Sequence, residues 1–178
     1  VPLMAFPPVK ALRLLGIDGV TSVRVVIALV GAAWIALFYY LLRLLGCRRF
    51  DAPVFSIISA VRAFSMFWFV VPEPYPFCSL SILLALTLVA LGDFRSIAPV
   101  WYVIVSALTL SFRITNGMVG LATTFVRFQL RKAMVISVAA FCLFLLLWGV
   151  QTIILPGGDF VFSPHTFIWW PTETNRHT

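Results

Sequence analysis

The residue with the most evident chemistry in this sequence is an arginine. Arg113 stands inside an apolar run from Val100 to Val126 that contains no acidic residue. A charge at the centre of a bilayer costs roughly 2.5–3.5 kcal/mol on insertion scales. Arginine does not escape that cost by losing its proton, because its pKa stays above about 12. A cation kept there is expected to have a task, and the task that suits it is to face a carboxylate on another subunit and control that group's protons. Helical steps of three, four and seven from Arg113 reach Ser106, Thr109, Asn116, Gly117 and Gly120, with Thr124 one turn further. This stripe is small and polar, whereas Leu108, Met118 and Ala122 lie opposite. Small residues let a second helix come close. The stripe is therefore either an ordinary packing face of a bundle or a face turned to a partner, and the central arginine favours the partner.

The elements that must position this arginine are membrane helices. Of 178 residues 62% are hydrophobic and 11% charged, where a soluble domain has about 25% charged residues. The net charge of +7 does not point to nucleic acid, because the basic residues sit mainly at the ends of apolar runs, where they meet headgroups. Cys47, Cys78 and Cys142 are far apart and form no CxxC, which suits small buried apolar residues better than a redox or metal site. His165 and His177 both lie in the tail and suit the membrane interface better than a metal. There is no GxxxxGK[ST] and no GxGxxG. No cofactor, metal or nucleotide is expected.

The expected fold is all-α, a polytopic membrane protein with about five hydrophobic helices. The segments are Val23–Leu45, Pro53–Val71, Phe77–Leu91, Val100–Val126 and Ala133–Leu155. They are apolar on all sides and too long for the alternating strands of a barrel. The run from Pro72 to Pro76 separates the second from the third, and Pro156-Gly157-Gly158 stops the fifth. The chain is read as one membrane domain over 1–178, with a surface segment at 1–20, helices over 21–155 and an interfacial tail at 156–178. Its opening at Val1 is read as a processed precursor or an internal start. The fourth segment, as one helix, would reach about 40 Å against a hydrocarbon core of about 30 Å, and is expected to tilt. Arg43, Arg48, Arg49 and Arg95 would then fall on one side, and Arg127, Arg131 and Lys132 on the other with Lys10, Arg13 and Arg24. That balance leaves orientation undecided.

The last two segments are expected to form a long antiparallel hairpin about the basic turn from Arg127 to Lys132. Arg113 would lie about 24 Å from that turn and Gln151 about 30 Å, within about one helical turn of the same depth. A glutamine carbonyl can accept one of the five guanidinium donors; the spacing equally allows a glutamine at the interface.

At these residues the chain resembles a known family. The run Leu108-Thr109-Leu110-Ser111-Phe112-Arg113-Ile114-Thr115-Asn116-Gly117-Met118-Val119-Gly120 is similar to the arginine helix of subunit a of rotary F-type ATP synthases, whose pattern is roughly L-S-L-x-L-R-L-x-x-N-x-x-x-G-H. The proline-rich turn from Val71 to Pro76, the small-residue span from Cys78 through Leu86 to Gly92, and Phe94-Arg95-Ser96 resemble the family's preceding region. Trp148-Gly149-Val150-Gln151 resembles the I-Q-A region of its last helix. The likeness covers about residues 65–155. It departs where Asn116 follows the arginine by three residues instead of four, where Leu121 replaces a histidine or acid, and where Phe144 replaces an acid. The family's proton-relay residues therefore cannot be carried over, and Glu73, Asp93 and Asp159 remain as half-channel acids to consider.

The resemblance implies a proton-translocating stator subunit, not catalytic alone. Arg113, with Gln151 and Asn116, would face the carboxylates of a c-ring between two half-channels. Ser106, Thr109, Gly117, Gly120 and Thr124 would form the rotor-facing stripe. The implied partners are the c-ring, other membrane stator subunits and lipids such as cardiolipin, with no nucleic acid. The shortened chain resembles a divergent mitochondrial version, which implies the mitochondrial inner membrane, with a bacterial or plastid energy-transducing membrane as the alternative. The second functional reading is a non-catalytic hydrophobic subunit of a respiratory complex of the complex I type, in which Arg113 pairs with a carboxylate inside a stationary assembly.

Overall fold

The computed structural model describes residues 2–62 and 75–154, and among these the chain is entirely helical. The elements are α1 (Pro2–Leu14), α2 (Gly19–Leu44), α3 (Asp51–Val61), α4 (Tyr75–Phe94), α5 (Pro99–Phe112), α6 (Ile114–Arg127) and α7 (Leu130–Ile154). Three of them, α2 at 26 residues, α4 at 20 and α7 at 25, are long and apolar enough to cross a bilayer. Large apolar side chains such as Leu29, Ile57, Met118, Val135 and Ile153 are exposed on the outside. Each would cost about 25 cal/mol per Å² in water, so the chain is a membrane-embedded protein.

Local chemistry sets the helix ends. The Asp18 carboxylate accepts the Val20 N–H at 3.1 Å and starts α2. At the other end Gly46 takes φ 89°, and the Cys47 N–H reaches back to the Leu42 carbonyl at 3.0 Å, a left-handed cap that glycine adopts without strain. Pro76 sits in the first turn of α4, where its missing N–H is not needed. The expected second segment is helical from Asp51 to Val61; beyond Arg62 it lies outside the described residues, as do Pro72, Glu73 and Pro74 of the proline-rich turn, Asp159 and the tail.

The expected fourth helix is not one helix, and this is the main correction. α5 and α6 have 14 residues each and meet at Arg113, whose backbone is extended at φ −161° and ψ 137°. The segment that follows, Ile114-Thr115-Asn116-Gly117, is a run of weak helix formers. The chain folds back on itself there. Ser106 Oγ donates to the Gly120 carbonyl at 2.9 Å, and the Tyr102 and Phe128 rings meet edge-on at 5.0 Å, so the two halves run antiparallel along their length.

The other helices assemble on this pair. α4 packs against both α5 and α6. Trp34 Nε1 donates to Ser79 Oγ at 2.8 Å. From that bond the apolar cluster runs onward through Leu41 on α2 and through Leu83 and Ala90 on α4, so these two helices run parallel. Ala133, Ile136, Ala140 and Phe144 form the buried stripe of α7, which packs mainly on α5 and only thinly on α6. The long tilted hairpin expected from the last two segments is therefore replaced by the short hairpin α5–α6, with α7 leaning away from α6.

Spin labels at the exposed positions Val100 and Val126 test the fold-back directly. A continuous helix would separate these residues by about 39 Å. Electron–electron distance measurement is expected to give less than about half of that.

Candidate functional site

Arg113 is at the tip of the α5–α6 hairpin, not in the middle of a helix. Its carbonyl accepts the N–H groups of Asn116 at 3.0 Å and Gly117 at 3.2 Å, and its own N–H reaches the Thr109 carbonyl at 3.4 Å. The turn thus answers its backbone groups locally, which lipid demands. The side chain is exposed. Its guanidinium carbon lies 5.6 Å from the centre of the Tyr75 ring, within reach of a cation–π attraction. Asn116 Nδ2 donates to the Cys78 carbonyl at 3.2 Å, and Phe77 stacks with Phe112 at 5.8 Å. These contacts hold the tip against the first turn of α4. Among the described residues no carboxylate pairs with Arg113; the ion pair they form is Asp93 with Arg127.

That ion pair marks the opposite end of the hairpin. Arg127 Nη1 meets Asp93 Oδ1 at 3.0 Å, and Arg127 Nη2 donates to the Gly92 carbonyl. Tyr102 packs beside them, 1% exposed, and its hydroxyl has no hydrogen-bond partner among the described residues. Lys132 lies over the Phe128 ring at 5.1 Å. A 14-residue helix separates this end from the tip, about 21 Å. Asp93 is therefore not near Arg113.

The small polar stripe faces inward. Ser106, Thr109, Gly117, Gly120 and Thr124 are all buried. Ser106 Oγ and Thr123 Oγ1, the latter at 2.6 Å, converge on the Gly120 carbonyl. Thr109 Oγ1 donates to the Ser106 carbonyl at 2.9 Å, and Thr124 Oγ1 lies 3.5 Å from Ser137 Oγ. A Cβ on Gly117 would strike Leu110; one on Gly120 would strike Thr109 and stand 2.9 Å from the Ser106 backbone. The expectation that this stripe faces a rotor is corrected: its α5 half and its α6 half cover each other. The outward face of α6 is the side first read as its back, with Ile114, Met118, Ala122 and Phe125 exposed.

Gln151 sits in the last turns of α7, half-buried. Measured from the Thr124–Ser137 contact, Arg113 is about 16 Å along α6 and Gln151 about 21 Å along α7, so their depths are comparable. α6 packs only thinly on α7, and among the described residues Arg113 and Gln151 share no hydrogen bond. The sequence reading missed Tyr75 and the Cys78 carbonyl as contacts of the tip, and missed the Asp93–Arg127 pair. The last was within reach, since Asp93 is the one acid between Tyr75 and Ile154.

Comparison with protein-family models, curated proteins and solved structures finds no match to this chain.

Two variants separate close packing from helix propensity. Gly120→Ala should destabilise the folded state by about 1–3 kcal/mol, as overpacking does. Gly149→Ala meets nothing within 4 Å and should be neutral or stabilising by up to about 1 kcal/mol. Unfolding titrations in mixed micelles measure both. In a background lacking Cys47 and Cys142, Asn116→Cys should cross-link to the native Cys78 with a short reagent, whereas Arg113→Cys with Gln151→Cys should not.

Proposed function

We propose that this chain is a proton-translocating stator subunit of a rotary ATP synthase, the counterpart of subunit a, and that Arg113 is the residue its ring carboxylates meet. The observation that carries this reading is the exposed Arg113 at the tip of a membrane hairpin, which no carboxylate among the described residues pairs with. The family-like run around it and the family-like segments before and after it support the same reading. Arg127 has Asp93, so the fold supplies a carboxylate where it needs one for its own structure. Among the described residues Arg113 has no such partner, and in this reading a carboxylate from another subunit meets it.

In that role the guanidinium favours the ionised carboxylate as it arrives. A proton is released to one aqueous half-channel, and the carboxylate is reprotonated from the other before it returns to lipid. The fixed cation also keeps protons from passing directly between the channels. Tyr75 and the Asn116–Cys78 bond hold the tip, so the charge keeps its place as the rotor moves. The exposed ridge of Ile114, Met118, Ala122 and Phe125 is the smooth surface offered to the ring, and no bond on it needs breaking at each step. Coupled ATP synthesis takes place elsewhere in the complex. The mitochondrial inner membrane, the c-ring and further stator subunits belong to this proposal.

Arg113→Ala and Arg113→Lys should each reduce ATP-driven proton pumping in membrane vesicles to background while the complex still assembles. Lysine fails as well because its compact ammonium lacks the planar fork of donors. Normal pumping in both variants would remove the proposal. Loss of quinone-linked activity with unchanged ATP-driven pumping would favour the stationary respiratory-complex reading.

A further inference from the structure

We infer that the cleft between α6 and α7 is a binding site for one anionic glycerophospholipid, with an acyl chain between the helices and its phosphate at Arg131 and Lys132. The cleft follows from the packing already described. α7 gives its buried stripe to α5, and α6 gives its small face to α5, so α6 and α7 share a turn but diverge beyond it. The opening has a volume of about 240 Å³ and is walled by Leu110, Leu121, Met134, Val138 and Phe141. Met134, Val138 and Phe141 are each about half exposed, so one side is open to the bilayer.

The mouth of this cleft is cationic. Arg131, Met134 and Val138 follow at helical intervals of three and four on one face of α7, so Arg131 stands one turn above the apolar walls. Lys132 is beside it, with its ammonium held over Phe128. Both are exposed, and among the described residues neither has an acidic partner. Asp93 is taken by Arg127. A basic pair at the interface directly above an apolar slot matches the two ends of a phospholipid. The site stands whichever complex houses the chain.

The test uses the full chain purified in mild detergent, titrated with dioleoylphosphatidylglycerol or dioleoylphosphatidylcholine and read by native mass spectrometry. The wild type should hold one phosphatidylglycerol in preference to phosphatidylcholine. Arg131→Gln with Lys132→Gln should weaken phosphatidylglycerol on the order of thirtyfold, since each interfacial cation contributes about fivefold. Arg131→Lys with Lys132→Arg should keep the affinity. Val138→Trp, which fills the slot, should displace the lipid while circular dichroism shows the helices intact. Equal retention of both lipids by the wild type, or unchanged phosphatidylglycerol binding in the glutamine pair or in Val138→Trp, would overturn the inference. So would a photo-cross-linker at Val138 that captures a protein instead of lipid in native membranes.

Discussion

The approach of α5 to α6 is the contact from which the remaining arrangement follows. Gly120 brings the two backbones close enough for Ser106 to bond across the gap, where a Cβ would stand 2.9 Å from the Ser106 backbone, and Gly117 leaves room for the Leu110 side chain. In lipid there is little hydrophobic drive for two apolar helices to meet, so close van der Waals packing and buried hydrogen bonds must do it. The hydroxyls of Ser106, Thr109, Thr123 and Thr124 all find acceptors inside that seam. With the seam closed, α4 has a two-helix surface to lie on, α7 has the free side of α5, and Arg113 is left at the turn.

The fold class was legible in the apolar runs, because length and composition alone distinguish membrane helices from barrel strands. The three long helices fell where those runs predict, within a few residues. The break at Arg113 was not legible. It depends on Ser106 meeting Gly120, a contact that exists only after the chain has turned back, and the same small residues read equally well as one face of a straight helix. Periodicity identified Ser106, Thr109, Gly117, Gly120 and Thr124 as a common face but carried no sign for inward or outward. The orientation count changed for the same reason. With a hairpin in place of a crossing, Arg127, Arg131 and Lys132 lie at the Asp93 end with Arg95. The parallel α2–α4 pair brings Arg43 to that end too. The balance of basic residues expected from five crossings therefore becomes a clear excess on one side.

Two arginines on α6's boundaries show how one side chain type serves different ends. Arg127 spends its donors on Asp93 and the Gly92 carbonyl and ties the hairpin base to α4. With Asp93 more than half exposed, that tie contributes at most about 1 kcal/mol, and its worth lies in register. Among the described residues the Arg113 guanidinium meets an aromatic face, a contact of about 0.5–1 kcal/mol at an exposed site. The lipid site proposed at Arg131 and Lys132 belongs to the same end as Arg127 and is remote from the tip, so the two proposals concern separate surfaces.

The brevity of α5 and α6 bears on how the protein is made. A helix of 14 residues is shorter than the roughly 20 that an insertion machinery accepts as a span. Neither half can be released into the bilayer alone, least of all while its end carries the arginine. Both must leave the ribosome and pair before they move into lipid together. By then α4 has already emerged, and its first turn offers the Cys78 carbonyl and the Tyr75 ring that receive the tip. Biogenesis therefore has an order built into the chain: the α4 span first, the hairpin as a single late unit, and α7 last to close on α5.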